Sequence, residues 1–125
     1  MIVNFLDLKK QIKSIDKKIL NSIKKNISKS SYIGGEDLSR FQKNFSEYLN
    51  VKYCLGVANG TDALEIAIKC LGLKKKSEII VPANTWISTA ESVINNNYKL
   101  KFVDVDETHN ICIEDLQKKI SNKTS

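Results

Sequence analysis

The stretch "EIIVPANTWISTAESVINNNYKLKFVDVD", residues 78–106, decides the fold class. It starts with a short apolar run, EIIVPA (78–83), and continues into an amphipathic segment, TWISTAESVINN (85–96). It ends in a second apolar run, YKLKFVDVD (98–106). These patterns predict a buried strand, a helix and a second strand. Strand–helix–strand units form parallel sheets with right-handed crossovers, so we predict an α/β protein. Pro82 fits the carboxyl end of the first strand, where its missing N–H does no harm.

The same alternation extends to both sides of this unit. Upstream, YCLGVA (53–58) predicts a strand, and TDALEIAIKCL (61–71) predicts a helix that ends at Gly72. Downstream, IEDLQKKI (113–120) predicts a further helix, which in this architecture leads into another strand. The sequence thus predicts a βαβαβ parallel-sheet segment within residues 51–125. Three strands are few for this architecture, so we expect the domain to be incomplete.

Residues 1–50 are predicted to form a separate helical segment. Apolar residues recur at steps of three and four between positions 8 and 28, which predicts one amphipathic helix with Asp7 as its N-cap. SSYIGG (30–35) breaks this helix, and a second helix is predicted over 36–49. A basic amphipathic helix can lie on an anionic membrane. We favour packing against its own domain or a partner subunit.

Charge and composition narrow the class of partner. The net charge of +6 comes almost entirely from lysine, since Arg40 is the only arginine among the 125 residues. Nucleic-acid readers tend to use arginine for bidentate contacts, so we expect a basic solvated surface and no nucleic-acid partner. The N-terminus lacks a signal-peptide pattern, and no apolar run approaches the roughly 20 residues of a membrane span. The expected location is the cytoplasm, with no membrane partner.

The cysteines and the single histidine do not suggest a metal site. Cys54, Cys70 and Cys112 lie far apart, and His109 has no partner at metal-ligand spacing. Three unpaired cysteines in mostly apolar surroundings predict buried thiols in a reducing compartment. His109 is interpreted as a surface-loop residue.

The segment that joins residues 53–58 to the next helix has the composition of an anion-binding loop. Gly60 would let the backbone approach a ligand and can take a positive φ, and Thr61 offers a hydroxyl. The N–H groups of Thr61, Asp62 and Ala63 would be unpaired donors in the first turn of the helix, as in a phosphate site. The alternative is an ordinary turn in which Thr61 or Asp62 caps the helix. The loop matches neither the Walker pattern nor G-x-G-x-x-G.

Two further segments fall at the same predicted edge of the sheet, where open parallel sheets bind ligands. Trp86, the only tryptophan, can stack on a flat heterocycle there, or it can be a core or interface aromatic. Asn84 and Thr85 are predicted caps of the helix that follows. Asp104 and Asp106 could do acid–base or metal work, but turn formation and capping are the favoured interpretation.

These motifs together resemble the start of the DegT/DnrJ-type sugar aminotransferases, a fold-type I pyridoxal-phosphate family. The resemblance covers nearly the whole chain, in this order: VNFLDLKKQI, SYIGGEDLSRFQKNFSEYLNVKYCLGVANGTDALEIAIKCLGL, EIIVPANTWISTAESV and KFVDVDETHNICIEDLQKKI. Its specific elements are G-T-D-A-L, P-x-N-T-W and F-x-D-V-D. It implies the large domain of a pyridoxal-phosphate aminotransferase, whose active sites lie near a homodimer interface.

The resemblance also implies roles for particular residues. Gly60, Thr61 and the backbone of Asp62 would bind the phosphate of the pyridoxal phosphate cofactor, and Trp86 would stack on its pyridine ring. The implied reaction transfers an amino group, usually from glutamate, to a keto-sugar carried on a nucleoside diphosphate. Such chemistry supplies amino sugars for cell-surface polysaccharides or secondary metabolites.

The catalytic lysine that binds the cofactor covalently, and the acidic partner of the pyridine nitrogen, fall in this family beyond residue 125. We therefore expect no catalytic residue and no metal ligand in this chain, and an inactive fragment if it is isolated. Two alternatives stay open at this stage. One is a pyridoxamine-dependent sugar dehydratase of the same family, and the other is a non-catalytic basic binding module.

Overall fold

The computed structural model describes residues 5–125, which divide into two compact units, 5–56 and 57–125. The first four residues of the predicted helical segment 1–50 lie outside the described residues. The first unit holds helices α1 (Leu8–Ile12), α2 (Asp16–Ser28) and α3 (Gly35–Tyr48). The second unit holds, in order, α4 (Gly60–Cys70), β1 (Glu78–Pro82), α5 (Ile87–Asn95), β2 (Lys99–Val103) and α6 (Ile113–Lys119).

The predicted single helix over residues 8–28 is wrong, because the chain leaves helical geometry between α1 and α2. Ile15 has φ −124° and ψ −7° and precedes α2 as its N-cap residue. The Ser14 hydroxyl donates to the Gln11 carbonyl at 3.2 Å, a local bond that competes with the helical backbone pattern. The predicted cap of α1 is confirmed, since Asp7 Oδ1 accepts the Lys10 N–H at 3.0 Å.

Helices α2 and α3 are tied together through Asp37. Its Oδ2 accepts a hydrogen bond from Asn26 Nδ2 at 2.7 Å, and its Oδ1 lies 2.5 Å from Arg40 Nη2. The Asn26 hydrogen bond, with Arg40 nearby, holds the pKa of Asp37 below its usual value. The turn between the two helices requires glycine, since Gly34 and Gly35 have φ values of 67° and 85°.

The second unit contains the predicted parallel crossover. Strands β1 and β2 pair in parallel, with Glu78 opposite Lys99 and Pro82 opposite Val103. Pro82 is the last residue of β1, as predicted, so no ladder bond is lost. A parallel bridge between Glu78 and Thr124 places residues 123–125 on the other edge of β1, where a further strand would pair.

The α/β class is confirmed, but the predicted first strand at 53–58 is wrong in its local structure. Residues 53–57 have no ladder partner among residues 5–125, and β1 and β2 form a two-stranded sheet. A strand exists only through hydrogen bonds to a neighbour, and an apolar run cannot supply that neighbour by itself. The one side-chain bond to this backbone joins the Gly56 N–H to Gln42 Oε1 at 2.8 Å.

The core of the second unit lies between α5 and the sheet. Val81, Val93 and Val103 are 3%, 1% and 0% exposed, and Ala90 completes the buried apolar set. Ser92 is buried too, and its hydroxyl donates to the Thr89 carbonyl at 2.9 Å. Many other large apolar side chains of residues 5–125 are exposed. None of the helices in that range is both long and apolar enough to cross a bilayer.

The cysteines do not occupy the predicted environment. Cys70 is exposed, and Cys54 and Cys112 are only half-buried, so the prediction of three buried thiols is wrong. Cys70 lies in the last turn of α4, where an apolar sequence neighbourhood does not guarantee a covering layer. His109 is confirmed as an exposed loop residue with φ 63°.

We expect the Asp115→Asn variant to lose thermal stability at neutral pH but not in acid. The Asp115 carboxylate accepts the Asp104 N–H at 2.7 Å and lies 2.8 Å from Lys119 Nζ. The Lys119 hydrogen bond, followed by that from the Asp104 backbone, lowers the pKa of Asp115. A lowered folded-state pKa gives stability that is present above the unfolded pKa of about 4 and is lost as pH falls through the folded value.

Thermal melts of both proteins between neutral pH and pH 3 measure this effect. The difference in melting midpoint should shrink as the pH falls below about 4. A difference that stays constant across this range would contradict the role of the Asp115 charge. Glu114→Gln is the matched control, because Glu114 lies beside Asp115 in α6 and is exposed.

Candidate functional site

The first turn of α4 is capped by Asn59. This residue is extended, with φ −160° and ψ 179°, and its Oδ1 accepts the Asp62 N–H at 2.9 Å. The Ala63 N–H donates to the Asn59 carbonyl at 3.1 Å. Asn59, and neither Thr61 nor Asp62, is therefore the cap, which corrects the alternative interpretation of this loop. Asparagine is among the best N-caps because its side chain satisfies a donor that the helix leaves unpaired, which contributes about 1 kcal/mol.

Two backbone donors remain available at this helix end. In the described part of the chain, the N–H groups of Gly60 and Thr61 have no acceptor, whereas those of Asp62 and Ala63 bond to Asn59. The macrodipole of α4 places partial positive charge at the same end. The loop thus has the donors and the field of an anion site, with fewer free N–H groups than the sequence predicts.

Gly60 does not take the positive φ that the sequence allows, and its close approach to a ligand stays a prediction. It is the first residue of α4. A Cβ added at Gly60 would meet no atom within 4 Å. Packing within the described chain therefore does not require glycine here, and the open space beside it is available to a ligand.

The N-terminus of α5 meets that of α4 through a pair of hydroxyls. Thr61 Oγ1 donates to Ser88 Oγ at 2.8 Å, and both residues lie in the first turn of their helices. The N-termini of α4 and α5 therefore lie side by side, and the partial positive charges of the two helix dipoles add beside Thr61 and Ser88. This bond joins α4 to the start of α5, the helix that follows the carboxyl end of β1.

Trp86 directly precedes α5 and lies beside the N-termini of α4 and α5. It is 78% exposed, so it is not a core aromatic of residues 5–125, and the alternative of an interface aromatic stays open. It is the N-cap residue of α5 but makes no side-chain cap bond. The predicted caps Asn84 and Thr85 are wrong for the same helix; Thr85 Oγ1 instead lies 3.1 Å from Thr89 Oγ1. A pocket of about 280 Å³ is lined by Gly60, Thr61, Leu64, Trp86, Ser88 and Thr89.

The third predicted segment does not join this pocket. Asp106 Oδ1 accepts the N–H groups of Thr108 and Asn110, at 2.8 Å and 3.2 Å, which confirms turn formation. These bonds, with that from the Thr108 hydroxyl first, lower the pKa of Asp106. Asp104 lines a separate depression beside Asp115. Within residues 5–125, no three His, Cys, Asp or Glu side chains are arranged to hold a metal ion.

The donors and the aromatic ring together define the class of protein. Free N–H groups, two converging helix dipoles and an exposed indole suit a planar ligand that carries an anionic group. A glycine whose Cβ would have room is compatible with such a ligand close to the backbone. The chain thus belongs to the α/β class and carries a candidate ligand pocket beside the chain that follows the carboxyl end of β1.

The comparisons with known proteins identify the family. A model described as the DegT/DnrJ/EryC1/StrS aminotransferase family matches residues 13–125, and the chain belongs to this family. A UDP-2-acetamido-2-deoxy-3-oxo-D-glucuronate aminotransferase of Pseudomonas aeruginosa is 34% identical over 124 residues, which are 98% of this chain and 34% of that enzyme.

Solved structures agree with this assignment. A Bacillus subtilis protein with bound cofactor PMP matches 98% of this chain and 29% of its own, with a TM-score of 0.89 at 29% identity. An E. coli GDP-4-keto-6-deoxy-D-mannose-3-dehydratase with bound hydrated PLP matches 85% of this chain and 29% of its own, with a TM-score of 0.78 at 30% identity. The chain spans about a third of the length of these relatives.

Of the predicted site residues, Asp62 does not line the pocket, and sequence reasoning missed the lining residues Leu64, Ser88 and Thr89 as well as the cap Asn59. Asn59 could have been found, since an asparagine three residues before an acidic residue at a helix start is a typical N-cap. Ser88 carries no such signal, because a serine in the first turn of a helix is common. Only the approach of α4 to α5 gives Ser88 a place beside Thr61.

Proposed function

We propose that this chain is the N-terminal portion of a pyridoxal-phosphate-dependent aminotransferase that acts on a nucleotide-linked keto-sugar. The observation that carries the proposal is the meeting of α4 and α5 beside Trp86, joined by the bond of 2.8 Å between Thr61 and Ser88. The two helix N-termini would suit a phosphate, and the exposed indole would suit a flat ring. Membership of the family supplies the reaction class.

The chain's own residues would bind and orient the cofactor. The free N–H groups of Gly60 and Thr61 would donate to its phosphate. The Asp62 N–H would be shared with Asn59 Oδ1, which already accepts it at 2.9 Å. Trp86 would hold the ring by stacking and keep water from one of its faces. When bound, the cofactor supplies the electron sink for amino-group transfer.

The group that completes the chemistry would come from outside these 125 residues. None of the residues that line the pocket is a lysine or a carboxylate. We propose that the cofactor-binding lysine and the acidic partner of the pyridine nitrogen lie in a following part of the protein. We further propose that the complete enzyme is a cytoplasmic homodimer that makes amino sugars, with glutamate as amino donor.

A second candidate within the same family is a sugar 3-dehydratase. It is favoured by the match to the E. coli GDP-4-keto-6-deoxy-D-mannose-3-dehydratase, at a TM-score of 0.78. The two reactions share the phosphate site and the stacking residue, and they differ in groups that the 125 residues do not contain. Aminotransfer is preferred because the first curated relatives, which act on UDP- and dTDP-linked sugars by name, are aminotransferases.

The test uses the protein expressed from its complete gene with pyridoxal phosphate. Incubation with glutamate should release one equivalent of 2-oxoglutarate per site. A panel of UDP-, dTDP- and GDP-linked keto-sugars should yield an amino sugar, detected by mass spectrometry. A deoxy keto-sugar without nitrogen would instead establish the dehydratase. Absence of cofactor binding and of 2-oxoglutarate release would overturn the proposal.

The isolated 125-residue chain is the negative control for covalent binding of the cofactor. With added pyridoxal phosphate, we expect it to show no absorbance band at about 410–420 nm, because that band needs the covalent lysine. A borohydride-stable adduct on one specific lysine of residues 1–125 would contradict the assignment of that lysine to a following segment.

A further inference from the structure

The only run of three lysines in the sequence, residues 74–76, lies at the end of the sheet opposite to Trp86. The run occupies the turn between α4 and β1, close to the amino end of β1. Trp86 follows the carboxyl end of the same strand, so roughly 15 Å of strand separates the two ends. The pocket beside Trp86 contains no lysine, and the lysine run therefore has no part in the function proposed above.

The lysine run lines a second pocket, with a volume of about 650 Å³. This volume is in the range of small-molecule sites. Lys99, at the start of β2, and Lys123, beside the residues that pair with β1, line the same pocket. Its other lining residues are neutral: Leu71, Gly72, Leu73, Ser77, Asn122, Thr124 and Ser125. Three segments far apart in sequence thus bring five lysines, and no acidic side chain, to one concave surface.

None of these five lysines has an ion pair with a carboxylate of residues 5–125. The acid that lies closest to the lysine run in sequence, Glu78, pairs with another lysine, Lys101 Nζ, at 3.8 Å. Its Oε2 also accepts the Ser121 hydroxyl at 3.2 Å. Positive charges that share a pocket without a counter-charge repel one another, and a multivalent anion would relieve that repulsion.

Backbone hydrogen bonds hold the three lysine-bearing segments together. The Ser77 N–H donates to the Lys74 carbonyl at 3.1 Å, and the Ser77 carbonyl accepts the Lys99 N–H at 2.9 Å. The Lys123 carbonyl accepts the Glu78 N–H at 2.7 Å. Ser77 is 6% exposed, so the segments meet on a buried residue. The backbone of the pocket is therefore fixed before any ligand arrives, which lowers the ordering cost of binding.

The direction of the sheet keeps this pocket open. The bridge between Glu78 and Thr124 is parallel, and the Ser125 N–H donates to the Glu78 carbonyl at 3.1 Å. A strand that extended this pairing would run along β1 toward Pro82, away from the lysines. Completion of the sheet at this edge would thus leave the five lysines accessible.

We propose that the five lysines form a binding site for an anion that carries two or more linked phosphates. The phosphate chain can belong to an inorganic polyphosphate or to a nucleotide. The lining contains no aromatic side chain that could stack on a nucleobase, so the phosphates carry the recognition. A concave pocket favours a small ligand over a membrane or a nucleic acid. The site does not depend on the proposed function, and each can fail while the other stands.

The test measures binding of tripolyphosphate to the protein from the complete gene, by isothermal titration calorimetry at low ionic strength. Pyridoxal phosphate is present at saturation, so that the pocket beside Trp86 is occupied. The combined variant Lys75→Gln, Lys99→Gln and Lys123→Gln should bind tripolyphosphate about 10-fold or more weakly, and salt should weaken binding to the wild type. Adenosine triphosphate should bind within about three-fold of tripolyphosphate, because the lining offers its base no stacking partner.

The matched control is the combined variant Lys17→Gln, Lys18→Gln and Lys24→Gln. It lowers the net charge equally at exposed positions of α2 outside the pocket, so its affinity should stay within about two-fold of the wild type. Melting curves check that both variants are folded. Equal losses in the two variants would overturn the site, as would a wild type that binds no tripolyphosphate. Binding of anionic vesicles or of a nucleic-acid fragment in that case would assign the lysines to a macromolecular partner.

Discussion

Gly60→Asp should abolish tight binding of pyridoxal phosphate while the fold stays intact. The new carboxylate would stand at the first position of α4, beside the free N–H groups that the phosphate needs. Two unit charges about 5 Å apart repel by about 3 kcal/mol at an effective dielectric constant of 20, which corresponds to a loss of about 100-fold or more in affinity. A titration of the protein from the complete gene with pyridoxal phosphate measures this loss.

Stability should change little in the same variant. A Cβ at Gly60 meets no atom within 4 Å, and its φ is not positive, so the substitution causes neither a clash nor backbone strain. A negative charge in the first turn is also favourable to the helix. Gly60→Asn is the control, with nearly the same shape and no charge. An affinity of Gly60→Asp equal to that of Gly60→Asn would contradict a phosphate at this position.

Val93→Ala should destabilise the protein by about 2–3 kcal/mol, although it removes only two methyl groups. Val93 is 1% exposed and packs within the core between α5 and the sheet. Truncation of a fully buried side chain loses its transfer free energy and leaves a cavity that close-packed neighbours fill only in part. Urea unfolding, followed by circular dichroism, gives the change in the free energy of unfolding.

The neighbouring residue provides a control in which a larger deletion should cost less. Ile94 follows Val93 in α5 and is 56% exposed, so Ile94→Ala removes more atoms but less buried area. We expect it to cost about 1 kcal/mol or less. Should Ile94→Ala prove the more damaging of the two, the orientation of α5 against the sheet would be wrong.

The helices could be predicted because their pattern is local. The predicted ranges 36–49 and 61–71 differ by one residue at each end from α3 (Gly35–Tyr48) and α4 (Gly60–Cys70). Apolar residues at steps of three and four need no knowledge of the partner surface. The gap between α1 and α2 was missed because the apolar steps continue across it, while the backbone at Ile15 does not.

The strand at 53–58 was mispredicted for the opposite reason. An apolar run identifies a segment that would fit a buried sheet, but the hydrogen bonds that make it a strand come from residues far away in sequence. Cys70 illustrates the same limit for burial, since its apolar sequence neighbours do not cover it. Properties that depend on a distant partner cannot be read from a window of ten residues.

The candidate site was predictable in three of its members and not in its contacts. Gly60, Thr61 and Trp86 were singled out by residue type, and one pocket does bring them together. The crossover places Trp86 after the carboxyl end of β1, and the packing of α4 on α5 brings Gly60 and Thr61 beside it. The bond from Thr61 to Ser88 depends on how α4 packs on α5, which no pattern in either helix encodes.

Because the N-termini of α4 and α5 line one pocket, ligand binding is linked to folding. A molecule held by both α4 and α5 binds the folded state and not the unfolded chain, so it shifts the unfolding equilibrium by mass action. At a free cofactor concentration about 100 times the dissociation constant, this linkage contributes about 2.7 kcal/mol. The melting temperature of the protein from the complete gene should therefore climb with cofactor concentration, and protein prepared without cofactor should be the first to aggregate on heating.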